Sequence, residues 1–178
     1  MEVRFVPLDL ARIDQLRLEV LALPFFEDER PLKGAAGLCD WRLCGSLSRL
    51  LVGGRVTGLP DEVTLVPGRP RLPFEKLILF GEGLSADFDA AAAERVTARL
   101  LATLGGLRLR SVALSLPGRS SGRASAGDAM RWFLQGIAES DELDEVVIVD
   151  DAEAQRAMVP VLEAARRRVR VVRSASEP

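Results

Sequence analysis

A length of 178 residues suits one domain, and a domain of that size buries roughly 70% of its unfolded surface. Hydrophobic residues make up 48% and charged residues 28%, as in an ordinary soluble globular chain, while a net charge of −2 supplies no field for nucleic acid or an anionic membrane. The chain contains no histidine, asparagine or tyrosine, which excludes a Ser-His or Cys-His nucleophile pair and any imidazole metal ligand.

Residues 3–8 read as a first strand, and Asp9 opens a short helical turn after it. Residues 20–26 are almost continuously apolar, as expected of a strand covered on both faces. An acidic turn ends it. One helix is then predicted to carry Cys39, Leu43, Leu47, Leu50 and Leu51 as a single apolar stripe, stopped by Gly53-Gly54. Residues 62–66 and 76–80 are the next strands, joined by a Pro/Gly/Arg segment too long for a tight hairpin. Ser85 or Asp87 is expected to cap a long helix bearing Phe88, Ala92, Val96, Leu100 and Leu104, ended by Gly105-Gly106. Residues 111–116 form a strand, Met130, Phe133, Leu134 and Ile137 mark a helix, and residues 145–149 form a further strand. Ala157, Met158, Val161, Leu162 and Ala165 mark the last helix, and residues 169–172 read as a short final strand before a disordered tail at 174–178. Strands alternating with helices imply parallel pairs with right-handed crossovers, and the adjacent strands of the first half make the sheet mixed. The expected fold is a single α/β domain over residues 1–173, with helices on both faces of the sheet.

Several features invite a chemical reading. Cys39 and Cys44 cannot form a structural zinc site without partners and read as buried free thiols. Trp41 and Trp132 read as packing residues. Asp150 with Glu153 fits a capping box better than a magnesium site. The arginines at 166, 167, 168, 170 and 173 suit a last helical turn and an edge strand rather than nucleic acid. The segment Gly118, Arg119, Ser120, Ser121, Gly122, Arg123 lies between a strand and a helix, where amides and two arginines could cradle an anion. It lacks the Gly-Lys-Ser/Thr ending of a P-loop, so a mobile surface loop is the competing reading. Met1-Glu2-Val3-Arg4 is not a signal peptide, and the apolar run at 20–26 is too short to span a bilayer, so the expected location is the cytoplasm.

The local wording resembles the N-terminal domain of the cytosolic leucyl aminopeptidase family. The resemblance rests on Leu23-Pro24-Phe25-Phe26 before the acidic turn, the glycine-rich start of a helix at Gly34 and Gly37, and Leu77-Ile78-Leu79-Phe80-Gly81-Glu82-Gly83. It continues through Ser111-Val112-Ala113-Leu114-Ser115-Leu116-Pro117 and Phe133-Leu134-Gln135-Gly136. It implies a macro-domain-like fold: three-layer α/β/α around a mixed central sheet. The family's two-metal peptidase site lies in a separate C-terminal domain with the signature Asn-Thr-Asp-Ala-Glu-Gly-Arg-Leu, which is absent here, so no catalytic or metal residue carries over. The expectation is a non-catalytic interaction or accessory module, without a cofactor, acting through a protein partner or self-association. An aminopeptidase catalytic subunit is one such partner, and the residues of the final helix, 152–168, are the expected contact patch. Nucleic acid and membrane are not expected partners. The alternative is a macro-like module binding ADP-ribose or another phosphorylated nucleotide through Gly81 and Gly83 together with residues 118–123. Against it stands the missing asparagine that macro domains typically place near the distal ribose. A hydrolase working on carboxylates alone is the third reading.

Overall fold

The structure is a computed structural model that describes residues 2–137 and 143–175, with side chains described through Arg166. Its strands are β1 (Glu2–Pro7), β2 (Val20–Phe25), β3 (Val63–Pro67), β4 (Lys76–Gly81), β5 (Ser111–Leu114) and β6 (Glu145–Asp150). The helices are α1 (Leu10–Ile13), α2 (Gly34–Arg42), α3 (Ser46–Val52), α4 (Ala90–Gly106), α5 (Ala126–Ile137) and α6 (Ala152–Ala175). The sheet order is β1-β6-β5-β2-β4-β3. All neighbours are parallel except β3, which runs antiparallel to β4, so the sheet is mixed as expected.

All six residues of β2 are buried, and β4 and β6 are buried beyond their first residue. Such strands must be covered on both faces. Val20, Ala22, Ile78, Phe80, Val112 and Ile148 meet the inner faces of α4, α5 and α6, including Leu100, Met130, Phe133 and Met158. On the other face Leu21, Leu23, Phe25, Leu77 and Leu79 pack with Cys39, Leu47 and Leu51 of α2 and α3. The result is three layers, α/β/α.

Four local expectations need correction. The stripe from Cys39 to Leu51 lies on two helices, because Cys44 and Gly45 adopt left-handed backbone (φ 55° and 74°) and break the chain between α2 and α3. The long helix α4 is capped by Asp89, whose carboxylate accepts the Ala92 N–H at 2.8 Å; Ser85–Asp87 form a separate 3-10 turn before it. Residues 169–172 are helical, since α6 continues to Ala175 and takes in the first residues of the expected tail. Residues 176–178 of that tail lie outside the described residues. The run of valines suggests a strand, but residues 158, 162, 165, 169 and 172 are also spaced by four and three and so extend one helical stripe. Finally, the helix cap is Asp151, which accepts the N–H groups of Glu153 at 2.9 Å and Ala154 at 2.8 Å. Asp150 ends β6 instead and faces a different partner.

The end of β4 is held by close backbone contact. A Cβ on Gly81 would stand 2.0 Å from the Leu59 carbonyl oxygen and 2.7 Å from the Gly58 carbonyl carbon. Gly81 N–H donates to Glu62 O at 2.9 Å, and Gly83 N–H to Gly58 O at 2.8 Å. Gly81→Ala is therefore expected to lower stability by about 3 kcal/mol or more, because backbone atoms cannot step aside as a side chain would. Urea unfolding monitored by tryptophan fluorescence measures this, and a loss below about 1 kcal/mol would show that the two segments part freely.

Candidate functional site

The parallel strands end together on one side of the sheet, where ligands of open α/β folds bind at the point of reversed strand order. That point falls between β2 and β5: the chain leaves β2 toward β4 on one side and β5 toward β6 on the other. A cavity of about 180 Å³ lies there, lined among others by Lys33, Gly34, Ser115, Arg119, Ser120 and Asp150.

The loop after β5 is tied down by buried acids rather than standing free. Gly118 N–H donates to Glu82 Oε1 at 2.7 Å. Gly118 has φ 74°, and a Cβ on it would meet the Phe88 ring at 2.4 Å. Phe88 itself packs edge-on against Phe26, with ring centroids 5.1 Å apart. The Ser120 hydroxyl donates to Glu29 Oε2, while Glu29 Oε1 accepts the Lys33 N–H at 2.8 Å, so one carboxylate joins the loop to the start of α2. Arg119 Nε donates to Asp150 Oδ2 at 2.8 Å and Nη2 to Oδ1 at 3.3 Å, a two-pronged pair, while Nη1 donates to Ala124 O at 2.9 Å. Arg123 Nη2 donates to the Ser85 hydroxyl at 3.3 Å, and that hydroxyl in turn donates to Asp28 Oδ2 at 2.7 Å. The Ser85 hydroxyl and amide hold the Asp28 carboxyl below its ordinary pKa.

Of the candidates singled out by sequence, Arg119 and Ser120 line the cavity. Gly118 supports the loop from beneath, and the N–H of Gly122 donates to Arg119 O. The Ser121 hydroxyl is buried without a partner, and Arg123 points toward Ser85. Gly81 and Gly83 lie at the end of β4 with their amides engaged by Glu62 and Gly58. The sequence reading missed Glu29, Glu82 and Lys33. Their signals were an acidic turn after a fully apolar strand, a glutamate between two glycines, and a glycine opening a helix. α2 begins at Gly34 after Lys33, which makes no side-chain cap, and residues 33–36 at this helix start line the cavity.

Trp41, read as a packing residue, and Cys44, read as a buried thiol, are both at the surface. Trp41 is 71% exposed and borders an open depression of about 860 Å³ with Pro31, Leu32, Arg42 and Arg71. Cys44 is exposed, and its sulfur accepts from Arg71, whereas Cys39 is buried and its thiol is pushed up to about 12 by that burial and by Asp40. Trp132 packs partly buried against the core as expected. Among the described residues, no three His, Cys, Asp or Glu side chains are grouped to hold a metal ion.

Parallel strands with a cleft at their carboxyl ends, three layers and one antiparallel edge define a three-layer α/β/α protein. The profile of the cytosol aminopeptidase family's N-terminal domain matches residues 22–145, and the chain belongs to that family. A probable cytosol aminopeptidase of Solibacter usitatus is 26% identical over 172 residues, covering 92% of this chain and 32% of that protein. One from Thermosynechococcus vestitus is 29% identical over 121 residues, covering 67% and 24%. The chain thus spans about a third or less of the length of these relatives. Among solved structures, a tomato leucine aminopeptidase variant aligns with TM-score 0.60 at 16% identity, over 93% of this chain and 36% of that one. The macro domain of ganglioside induced differentiation associated protein 2 aligns with TM-score 0.71 at 14% identity, over 92% and 84%. An Oceanobacillus iheyensis macrodomain variant aligns with TM-score 0.69 at 14% identity, over 88% and 86%. These structural likenesses concern the fold. No helix among the described residues is long and apolar enough to cross a membrane.

Glu82 gives the site a pH dependence. It is 5% exposed, Oε2 is buried without a partner, and burial, reinforced by Glu29 against the opposing Gly118 N–H, raises its pKa from 4.5 to about 8. Glu82 therefore carries its proton at neutral pH in the folded state but not in the unfolded state. Between pH 4.5 and 8 the folded chain binds more protons, so this group's contribution to stability is fully present below pH 4.5 and is lost as pH rises through 8. Glu82→Gln keeps the oxygen that accepts from Gly118 and removes the titration. It is expected to unfold with nearly the wild-type free energy near pH 4 and to be more stable by roughly 3–5 kcal/mol above pH 8. Denaturant curves across that range test this, and a difference that does not grow with pH would show that Glu82 is ionised in the fold.

Proposed function

We propose that this domain is a non-catalytic accessory or interaction module, working in the cytoplasm through a protein partner: an aminopeptidase-type catalytic domain or a second copy of itself. One observation carries the reading. The cleft where a ligand of this fold class would sit is occupied by the chain's own ion pair, Arg119 with Asp150, and leaves about 180 Å³, against the roughly 300–1,000 Å³ of ordinary ligand pockets. An arginine already neutralised by a buried carboxylate has little to offer a phosphate, since binding would first break that pair. The family match lends support, because it concerns the N-terminal domain, and the relatives are named as cytosol aminopeptidases. The contact patch expected on α6 has a narrow basis: Ala154, Met158 and Leu162 face the core, and Val159 is the large apolar side chain of α6 exposed among the described residues.

A second reading, a phosphorylated nucleotide such as ADP-ribose, draws on the first-turn amides of α2 beside Lys33 and Ser120. They are donors at a helix N-terminus without a side-chain cap.

Three measurements separate these readings. Thermal-shift titration with ADP-ribose, ATP and inorganic phosphate is expected to leave the unfolding midpoint unmoved. A concentration-dependent rise that disappears in Lys33→Ala/Ser120→Ala would favour the nucleotide instead. Calorimetric titration with a purified aminopeptidase catalytic domain from the same source is expected to show binding if that domain is the partner. Pure protein supplied with divalent metal is expected not to hydrolyse a leucyl chromogenic substrate. Hydrolysis proportional to protein and lost on carboxylate substitution would overturn the non-catalytic reading.

A further inference from the structure

We infer that β3 is the strand to which a second copy of this chain adds, antiparallel and about a twofold axis at Leu65, so that two sheets join edge to edge. The inference deepens the interaction-module reading by naming a surface and an occupant. β3 is an end strand of the sheet, and its register with β4 sets which of its backbone groups are free. Gly81 N–H donates to Glu62 O at one end, and Gly68 N–H to Glu75 O at the other. Alternation along an antiparallel ladder then gives Thr64 and Val66 to β4 and turns the N–H and C=O groups of Val63 and Leu65, and the carbonyl of Pro67, outward. No hydrogen bond within the described residues reaches these groups. Leu65 is 50% exposed, and the strand Val63-Thr64-Leu65-Val66-Pro67 carries no charge.

The opposite end strand differs. β1 presents Glu2 and Arg4 and so carries the charges that discourage edge pairing. β3 has its charges beyond its ends and of opposite sign: Asp61 and Glu62 precede it, Arg69 and Arg71 follow it. Antiparallel pairing centred on Leu65 sets Leu65 against itself with both bonds exchanged and brings each Val63 N–H to a Pro67 carbonyl. It also brings the turn that carries Asp61 beside the turn that carries Arg69 of the second copy. Asp61 is exposed, and Arg69 is 3.8 Å from its own-chain partner Glu75, far enough for that pair to be loose. A parallel arrangement would put acid against acid and base against base. The charge pattern thus selects a second copy, and selects its direction.

The contact is small, so the association is weak. In light scattering or sedimentation of the full chain, the average mass is expected to climb from one chain toward two between about 10 µM and about 1 mM. Leu65→Pro removes the outward N–H at the axis without touching the β3–β4 ladder, which is where edge strands tolerate proline. It is expected to hold the mass at one chain over the same range. Leu65→Lys sets two like charges against each other and should do the same, which keeps the test valid if the proline variant does not fold. Leu65→Cys on a Cys44→Ser background is expected to give a disulfide-linked dimer on oxidation, since directly opposed residues lie within disulfide reach. A wild-type mass fixed at one chain to about 1 mM, or a dimer of unchanged affinity in both Leu65→Pro and Leu65→Lys, would overturn the proposal. Either result would leave binding to an aminopeptidase catalytic domain to be judged by its own titration, so the two readings fail separately.

Discussion

The buried strand β2 sets the terms for the rest of the molecule. Every one of its residues is enclosed, so neither face can meet water and a helical layer is required on each side. Its neighbours β4 and β5 run parallel to it, which demands crossover connections and brings the strand ends to one side. That gathering creates the cleft, and the cleft brings polar backbone and acidic side chains into a place with little water. Glu29, Glu82 and Asp150 are each largely buried there. Each has an answer from the loop after β5: the hydroxyl of Ser120, the amide of Gly118 and the guanidinium of Arg119. The loop that looked most available for a ligand is thus the counterpart of three buried carboxyl groups.

Much of the fold was legible because it rests on local pattern. The apolar runs of β2, β4 and β6 announce strands enclosed on both faces, and the spacing of Met130, Phe133 and Ile137 announces α5. Where reading failed, two patterns competed on the same residues. Cys39, Leu43, Leu47 and Leu51 keep helical spacing across a break, because both helices face one core and the left-handed turn at Cys44 and Gly45 preserves the phase. Asp150 and Asp151 are adjacent acids before a helix, and either could cap it. Only the position of Arg119 decides which one is free to do so. Trp41 looked like a packing residue because large aromatics usually are.

The site was less legible than the fold for a physical reason. Its bonds join residues far apart in sequence: Glu29 to Ser120 spans 91 positions, Glu82 to Gly118 spans 36, and Arg119 to Asp150 spans 31. Composition and spacing can mark a Gly/Ser/Arg loop as chemically suggestive, but they cannot say that its donors are already paired. A charged loop open to an anion and one closed by internal carboxylates have the same local sequence. They differ only in which strand ends stand beside them.

Strand β1 also governs how the chain reaches this state. It lies in register with β6 from Glu2 opposite Glu145 to Pro7 opposite Asp150, and the ion pair of Arg4 with Glu145 spans 141 positions. β1 therefore has no ladder to join until β6, 141 positions further on, is in place. Contacts that close so much chain are slow to form, because loop entropy is lost before the contact returns anything. Until then Val3 and its neighbours lack the strand they pair with. Folding of this domain is accordingly a problem of holding β1 until β6 is available, a time in which a chaperone or an early-folding helical layer would matter more than any single bond in the finished structure.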